Sequence, residues 1–273
     1  MCVPGCHAAV HSRLDRRGLF KAGAAALAAG TLASAATPSR AAGLRVFNRV
    51  VDLTHTLTPD FPTYLPDWAL GIEQTTTFAE NGFNTRRYTL TEHSGTHVDA
   101  PIHFTADGAT LDEIPLEDLV LPLVVVDVKA QAASNPDYQL TPEDLMAWEA
   151  KHGRIPDGAC VAMNSGWAEK APGEGFANKD AEGVMHFPGF HVDSADMLMS
   201  DRGALGIASD TLSLDHGASQ TFDTHYAWLP SGRWGVECIA GLDDVPPAGA
   251  TLVAAAPKIG GATGMNSRLI ALV

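Results

Sequence analysis

Eight short segments rich in Val, Ile, Leu and Thr run along the chain, separated by connections that contain Gly, Pro and Asn. Segments of this length and composition are typical of β-strands. They are "LRVFNRVVDLT", "NTRRYTLTEH", "LPLVVVDV", "GACVAMNS", "ALGIAS", "WGVECIAGL", "ATLVAAAP" and "SRLIALV". Because they outnumber the helical segments and do not alternate regularly with them, we predict an α+β fold, a mixed β/α domain with a β-sheet core and few helices.

Two segments have the features of helices. In "LTPEDLMAWEAKHG", Thr141 suits the N-cap, Pro142 the first helical position and Gly153 the end of the helix. A second helix is predicted from about Ser194 to Arg202, where a glycine follows.

The first 41 residues have the composition of an export signal. The pair Arg16 and Arg17 precedes an Ala- and Gly-rich stretch, which is followed by small residues that suit a signal peptidase. The apolar stretch is shorter than the roughly 20 residues that span a membrane. We predict a twin-arginine signal over residues 1–41, with an anchor or amphipathic helix as the alternative, and a periplasmic domain over residues 42–273 without a membrane span.

The charge of the chain limits its partners. Removing residues 1–41 takes away five basic residues and one acidic residue, which changes the net charge from −14 to −18. Nucleic acids and anionic membranes need a basic protein surface, so neither is expected as a partner. Beyond residue 41 the cysteines are Cys160 and Cys238, which could pair in an oxidising compartment, although we expect two buried thiols.

The segment "HSGTHVDAPIHF" concentrates three histidines and an aspartate at odd positions, namely His93, His97, Asp99 and His103. Extended backbone fits a segment that contains glycine and proline better than a helix does. Side chains at alternate positions of a strand point to one face, so the first three should converge, with Gly95 leaving room for an ion. A proline should end the strand just before His103.

This group of side chains suits a divalent metal. Imidazole and carboxylate ligands favour zinc or manganese, and the segment contains no thiolate that would indicate a structural site. Three protein ligands leave coordination positions open for water, as a catalytic site requires.

The segment also resembles the signature H-x-G-T-H-x-D-x-P-x-H of the metal-dependent cyclase family, which includes bacterial kynurenine formamidases and isatin hydrolases. The resemblance extends over "VDLTHTLTPDFPTY", "LDEIPLEDLV", "NSGW" and "GLDDVPPAGATLVAAAPKIGGATGMNSRLIALV". The segment "FANKDAEGVMHFPGFHVD" looks more like the isatin hydrolase branch. The resemblance implies a single domain of the swivelling β/β/α type that assembles as a homodimer or homotetramer.

The resemblance assigns roles to particular residues. It implies that His93, His97 and Asp99 bind a first metal and that His103 is the catalytic acid and base. In some relatives a second metal binds the shared aspartate and a distant histidine and glutamate, which match His225 and Glu237, so one or two ions are expected.

Two further interpretations follow from the residues themselves. Glu237 lies in the apolar segment "WGVECIAGL" and alternates with Val236 and Cys238, which should face the opposite, apolar side of a strand. A glutamate buried among apolar residues needs a cation as partner. Phe61, Tyr64 and Trp68 are close together in the Pro-rich segment "DFPTYLPDW". Aromatic side chains on such a loop line a pocket or pack into a core, and the resemblance favours pocket walls for a flat ring.

The expected reaction is hydrolysis of a C–N amide bond in an aryl formamide or cyclic aryl amide, a small aromatic substrate of the N-formylkynurenine or isatin type, by metal-activated water. His103 would take the proton of that water and deliver it to the departing nitrogen. Two alternatives stay open: a lactone or cyclic-ester hydrolase or dehydratase with the same metal, and a protein that binds a metal or ligand without turnover.

Overall fold

The computed structural model describes residues 47–273, so the predicted export signal lies outside the described residues. The strands are β1 Val50–Asp52, β2 Gly71–Thr76, β3 Thr85–Thr89, β4 His97–Asp99, β5 Val120–Asp127, β6 Gln139–Leu140, β7 Cys160–Asn164, β8 Gly189–Phe190, β9 Gly206–Ser209, β10 Trp234–Glu237, β11 Ala250–Ala255, β12 Gly264–Asn266 and β13 Arg268–Leu272. The α-helices are α1 Phe78–Asn81, α2 Lys129–Ser134, α3 Pro142–His152, α4 Glu174–Ala177, α5 Val192–Ser200 and α6 Asp223–Trp228.

Nine of the strands form one sheet in the order β1-β13-β11-β5-β7-β9-β10-β4-β12. The four central strands, β5, β7, β9 and β10, are parallel, and the strands on either side of them are antiparallel. This mixed sheet with few helices confirms the predicted α+β class.

Both faces of the sheet are buried. Along β5, Leu123 and Val125 belong to one hydrophobic core, whereas Val124 and Val126 belong to another. Successive residues of a strand point to opposite faces, so the continuous apolar run "LVVV" supplies both cores at once. The strand ends are thereby held rigidly, which matters for the polar side chains that they carry.

The predicted helices are present. The hydroxyl of Thr141 accepts the amide hydrogen of Asp144 and so caps α3, and Gly153 follows its last residue with a φ of 89°. The second helix begins two residues earlier than predicted, at Val192, because the ring of His191 accepts the amide hydrogen of Asp193 and acts as its cap. Cys160 and Cys238 are both buried free thiols, as expected.

The β2–β3 hairpin stands apart from the main sheet. Its strands pair with each other, and the residues of both are exposed except Thr76, which is half-buried. Ile72 and Tyr88 are opposite each other in the strand pair, and Phe78 and Phe83 lie in the segment that connects the two strands. An isolated two-stranded hairpin is only marginally stable in water, so this segment is an unusual surface feature.

None of the helices between residues 47 and 273 is long and apolar enough to cross a membrane.

Candidate metal centre

The centre is built where three strands meet. β4 lies between β10 and β12, and the register places Glu237 opposite His97 and Gly264 opposite Asp99. Glu237 is the last residue of β10, at the carboxyl end of the parallel strands. The sheet therefore joins the histidine-rich segment to a carboxylate 140 residues further along the chain.

The strand predicted from His93 begins only at His97, because the preceding residues form a turn. Gly95 has a φ of 60° within that turn, and its carbonyl accepts the Nδ1 hydrogen of His97 at 2.7 Å. A Cβ at Gly95 would also lie 2.9 Å from Leu57 Cδ1. The glycine is thus required by backbone conformation and close packing, and the predicted role of leaving room for an ion is wrong.

The neighbours of Glu237 do not point as predicted. Val236 points into the core that includes Val125, but Cys238 packs in an aromatic cluster formed with Phe61 and Phe176. The chain leaves the strand after Glu237, and Cys238 has a φ of 54°. Val236 and Cys238 therefore do not share one apolar side, as strand alternation alone would require.

The predicted ligands converge in spite of these differences. His93 Nδ1 lies 2.7 Å from Asp99 Oδ1, and His97 Nε2 lies 3.2 Å from that same oxygen. Glu237 joins them from β10, with Oε2 3.3 Å from His97 Nε2 and Oε1 3.1 Å from His225 Nε2. His225 Nε2 is 3.9 Å from Asp99 Oδ2. All five side chains are buried.

Outer hydrogen bonds fix the orientation of the imidazole rings. The Nδ1 of His225 lies 2.6 Å from Asp215 Oδ2, and Asp215 also accepts the backbone hydrogens of Thr224 at 2.8 Å and His225 at 3.2 Å. His97 donates its Nδ1 hydrogen to a backbone carbonyl, as described above. Because the Nδ1 hydrogen of each ring is committed to an outer acceptor, Nε2 is the nitrogen that faces the carboxylates and that a metal ion would use in place of a proton, the arrangement of metal-ligating histidines.

The donor set fits a divalent cation. Among residues 47–273, His97 Nε2 and Asp99 Oδ2 are buried side-chain atoms with no hydrogen-bond partner. Unpartnered buried polar atoms are costly in a folded protein, and a cation between imidazole nitrogens and carboxylate oxygens satisfies them. Ligand atoms lie within 4.8 Å of one another in two groups, one of His97, Asp99 and Glu237 and one of His93, Asp99 and His103.

Electrostatics favour positive charge at this position. Burial alone would lower the pKa of His97, but the charge and hydrogen bonds of Asp99 and Glu237 raise it well above its usual value. The pKa of His225 rises to about 10, because Asp215 and Glu237 outweigh the effect of burial. The carboxylates thus hold cationic partners even in this buried site, which is the condition for binding a metal ion.

His103 lies beside the cluster, just after β4. It belongs to the 3₁₀ turn Pro101–Phe104, so the strand ends where the proline was predicted to end it. The His103 ring stacks on His93, with a distance of 3.8 Å between ring centroids and an angle of 19° between the planes. Burial lowers its pKa to about 4, so the imidazole is neutral at pH 7.

Aromatic side chains surround the cluster, but only two of the three predicted ones contribute. Trp68 lies 6.3 Å from His93 between ring centroids. The Tyr64 and Phe222 ring centroids are 6.1 Å apart, and burial together with the charges of Glu237 and Asp215 raises the pKa of Tyr64. Phe61, in contrast, is 3% exposed and packs in the aromatic cluster, so core packing rather than a pocket wall describes it.

Sequence reasoning missed three residues of the site. The Phe104 and His225 ring centroids are 4.5 Å apart, and those of Phe222 and His225 are 5.9 Å apart. Phe222 has a φ of 53°, a strained conformation for a bulky residue that is common at functional sites. Asp215, which orients His225, has no sequence motif around it. Phe104 directly follows His103, so its position in the motif could have identified it as a site residue.

The fold and the donor set together define the class, a protein with a buried metal centre built on a mixed β/α domain. Residues 51–216 match the family model described as "Putative cyclase". The chain belongs to this cyclase family, and the resemblance found in the sequence is confirmed.

Named relatives indicate the kind of reaction. The chain is 35% identical over 243 residues to an isatin hydrolase of Roseibium aggregatum, covering 82% of this chain and 91% of that protein. It is 31% identical over 222 residues to a kynurenine formamidase of Maricaulis maris, covering 80% and 95%. The structure of isatin hydrolase A from Labrenzia aggregata bound to benzyl benzoate superposes with a TM-score of 0.78 at 36% identity, covering 82% and 93%. The protein is accordingly an enzyme of the hydrolase class.

Metal dependence has separate support. A solved structure described as a potential metal-dependent hydrolase with cyclase activity superposes with a TM-score of 0.62 at 26% identity, covering 82% of this chain and 96% of that one. Together with the clustered imidazole and carboxylate ligands, this neighbour supports a divalent metal as the cofactor.

Proposed function

We propose that the enzyme hydrolyses a C–N amide bond in a small aromatic substrate, either an aryl formamide or a cyclic aryl amide of the N-formylkynurenine or isatin type. The observation that carries the proposal is the convergence of His93, His97, Asp99, His225 and Glu237 beside a neutral His103. The names of the relatives support the substrate class.

The protein's own residues would act as follows. Asp99 and Glu237 supply negative charge, and the three ligating histidines hold the divalent ion, which when bound polarises the substrate carbonyl and lowers the pKa of water to about 7. His103 takes one proton from the attacking water and transfers it to the nitrogen as the C–N bond breaks. The products are a carboxylic acid and an amine, so the atoms balance with water as the co-substrate.

The surrounding aromatic side chains suit a flat substrate. Trp68, Phe104 and Phe222 place their rings beside His93 and His225, and Tyr64 packs against Phe222. Rings prefer offset or edge-to-face contacts with other rings, and each such pair contributes about 1 kcal/mol beyond the burial of its area. An aniline-type leaving group would gain this contact whether the amide is open or part of a ring.

The test is turnover of isatin and N-formylkynurenine by the purified protein, with its metal measured by elemental analysis. We expect Zn²⁺ or Mn²⁺, one or two ions per chain, and hydrolysis of at least one compound. The variant His103→Ala should keep its metal and lose activity about 10² to 10⁴-fold. Metal without turnover of either amide, but with turnover of a lactone, would favour the cyclic-ester alternative. If His103→Ala retains full activity, the role given to His103 is wrong.

We also propose assembly with a second copy of this chain, as a homodimer or homotetramer, through the β2–β3 hairpin. Phe78, Phe83 and Tyr88 are 69%, 55% and 55% exposed. Together these rings expose on the order of 400 Å², about half of the roughly 800 Å² that one partner contributes to a stable interface. The charges of Glu73 and Glu80 balance those of Arg86 and Arg87, so the hairpin does not repel a second acidic copy.

Molar mass in solution tests this surface. The double variant Ile72→Lys, Tyr88→Lys should fall to the mass of one subunit in light scattering. Leu116→Lys, which changes an apolar residue that is 76% exposed outside the hairpin, should keep the mass of the unmodified protein. A monomeric unmodified protein, or a double variant that stays assembled, would contradict the proposal.

Export to the periplasm through the twin-arginine pathway is proposed from the sequence of residues 1–41. Replacing both Arg16 and Arg17 by lysine should retain the precursor in the cytoplasm. A mature protein found in the periplasm with its N-terminus near residue 42 would support the assignment, and unchanged export of the double variant would contradict it.

A further inference from the structure

The chain changes its pairing partner directly after the last residue of β10. Glu237 is paired with His97 of β4. Two residues later, Ile239 is paired with Thr54, in the segment that follows β1. Cys238 lies between these two pairings and has a φ of 54°, in the left-handed region that residues other than glycine rarely adopt. A backbone in this conformation persists only where surrounding contacts hold it, so the turn after Glu237 depends on its neighbours.

The side chain of Thr96 bonds to both segments at this turn. Its hydroxyl donates its one hydrogen to the Cys238 carbonyl at 2.6 Å, and its oxygen accepts the His55 amide hydrogen at 3.0 Å. The Cys238 amide donates to the Thr211 carbonyl at 2.8 Å. Thr96 and Cys238 are 3% and 1% exposed, so bulk water is not available to replace these bonds.

Thr96 is itself held in place by the sheet. Its carbonyl accepts the Ser267 amide hydrogen at 3.0 Å, and the next residue, His97, is the first residue of β4. The hydroxyl thus connects β4 at His97 to the backbone that directly follows Glu237. His97 Nε2 and Glu237 Oε2 are 3.3 Å apart, so a shift of the turn at Cys238 would change the gap between two candidate ligands.

We propose that Thr96 is a positioning residue that stabilises the left-handed turn at Cys238 and so holds Glu237 in place for a metal ion. The inference rests on the proposed function, because it takes Glu237 as a metal ligand. Without the hydroxyl, the Cys238 carbonyl and the His55 amide lose a buried partner, and the turn can relax toward an ordinary backbone conformation. Glu237 then moves relative to β4, and loss of such outer contacts typically weakens metal binding 10 to 100-fold.

The first experiment measures metal affinity, with Mn²⁺ and Zn²⁺ as the probes in competition with a chelator. Thr96→Val keeps the side-chain shape and should weaken binding at least about 10-fold, whereas Thr96→Ser keeps the hydroxyl and should bind within about 3-fold of the unmodified protein. Ser194→Ala is the matched control, because the buried Ser194 hydroxyl also donates to a backbone carbonyl, that of Leu140, at 2.6 Å. It should leave metal affinity unchanged. Unchanged affinity of Thr96→Val would overturn the proposal.

A second variant, Cys238→Gly, tests whether Thr96 acts through the turn. Glycine adopts a positive φ without strain, so the turn should no longer need the hydroxyl. Combined with Cys238→Gly, Thr96→Val should weaken metal binding by less than about 3-fold, against about 10-fold in its absence. An equal loss of affinity with and without Cys238→Gly would overturn the proposal.

Amide hydrogen exchange in the metal-free protein measures the turn directly. In Thr96→Val, exchange at the Cys238 amide should speed up about 10-fold more than exchange at the amides of β7, in the centre of the sheet. Thr96→Ser should keep the ratio found in the unmodified protein. Acceleration by the same factor at both places would show that Thr96 only stabilises the fold as a whole, and would overturn the proposal. Because this measurement needs neither metal nor turnover, it decides whether the hydroxyl stabilises the turn even if the proposed hydrolysis fails.

Discussion

The metal centre and the β2–β3 hairpin are opposite in construction. In the centre, His97 and Asp99 are 2% and 0% exposed, and each ring nitrogen or carboxylate oxygen is placed by a strand or a hydrogen bond. In the two hairpin strands, every residue except Thr76 is exposed, including the apolar Ile72 and Tyr88 at 44% and 55%. The two regions depart from the general tendency in opposite ways, because the centre buries ionisable side chains and the hairpin exposes large apolar ones.

We propose the same physical explanation for both departures, which is that each region binds a partner, a metal ion in one case and a second copy of the chain in the other. Buried carboxylates are stable only beside cations, and exposed aromatic rings are stabilised only when a second surface covers them. The centre is held by the nine-stranded sheet and its two cores, so its geometry is set before any ion binds. The hairpin has no such support, and we expect a second copy to supply it.

The largest effect is expected from Asp99→Asn, which keeps the shape of the side chain and removes the charge shared by His93, His97 and His225. Activity should fall about 10³-fold or more, since the ion contributes several kcal/mol to stabilisation of the transition state. Elemental analysis should show metal loss in parallel. Glu73→Gln on the hairpin is the control and should retain metal and activity. Full metal content in Asp99→Asn would contradict the assignment of Asp99.

Removing the metal should destabilise the centre and not the hairpin. An ion present at 100 times its dissociation constant stabilises the folded state by about 2.7 kcal/mol. Chelation should therefore lower the melting temperature by several degrees. Hydrogen exchange should speed up in β4 and β10 and stay unchanged in β2 and β3. If chelation accelerated hydrogen exchange equally in both regions, the stability of the hairpin would depend on metal binding, contrary to this prediction.

Two glycines give a matched comparison at smaller scale. A Cβ at Gly264 would lie 2.6 Å from His93 Cε1 and from the Val98 carbonyl, whereas at Gly82, in the hairpin, nothing lies within 4 Å. Gly264→Ala should cost about 1–3 kcal/mol of unfolding free energy and weaken metal binding. Gly82→Ala, at a φ of 76°, should cost about 1 kcal/mol through backbone strain alone, with unchanged metal affinity. Denaturant unfolding measures the unfolding free energy of each variant, and metal titration measures its metal affinity. Weaker metal binding by Gly82→Ala would contradict the expected difference between the two glycines.

The sequence predicted the parts of this molecule that depend on local pattern. The cap of α3 is visible because Thr141, Pro142 and Gly153 act within one helix. The convergence of His93, His97 and Asp99 was also predicted, although through a longer strand than the one that forms. The tight turn at Gly95, with its positive φ, brings His93 to the same place by another route.

The remaining features depend on contacts between distant segments. Asp215 reaches His225 across a loop, and Thr263 reaches His93 from the other end of the chain, so no spacing in the sequence reveals either pair. Phe61 and Tyr64 are three residues apart in one Pro-rich segment, yet Phe61 is buried within the aromatic cluster, whereas Tyr64 is half-buried, packs against that cluster and also contacts Phe222. Composition cannot separate them, because both are aromatic and the difference is made by the surface against which each packs.

The smallest expected effect is the difference in stabilisation between two ion pairs, one mostly buried and one exposed. Arg202 bonds both oxygens of Glu149, at 2.7 and 2.8 Å, with side chains 12% and 15% exposed, whereas Arg87 and Glu73 on the hairpin are 68% and 60% exposed. The hydrogen bonds from Arg202 lower the pKa of Glu149 below its usual 4.5. A lowered carboxylate pKa stabilises the fold above the unfolded pKa, and that stability is lost as the pH falls through the folded value.

Glu149→Gln should therefore cost about 1 kcal/mol at pH 7, while Glu73→Gln should cost less than about 0.5 kcal/mol. Urea unfolding at pH 7 and at pH 3 measures both. The cost of Glu149→Gln should shrink at the lower pH, because protonation has already weakened the pair in the unmodified protein. An equal cost at both pH values would mean that Glu149 acts through its packing and its bond to the Ile155 amide rather than through its charge.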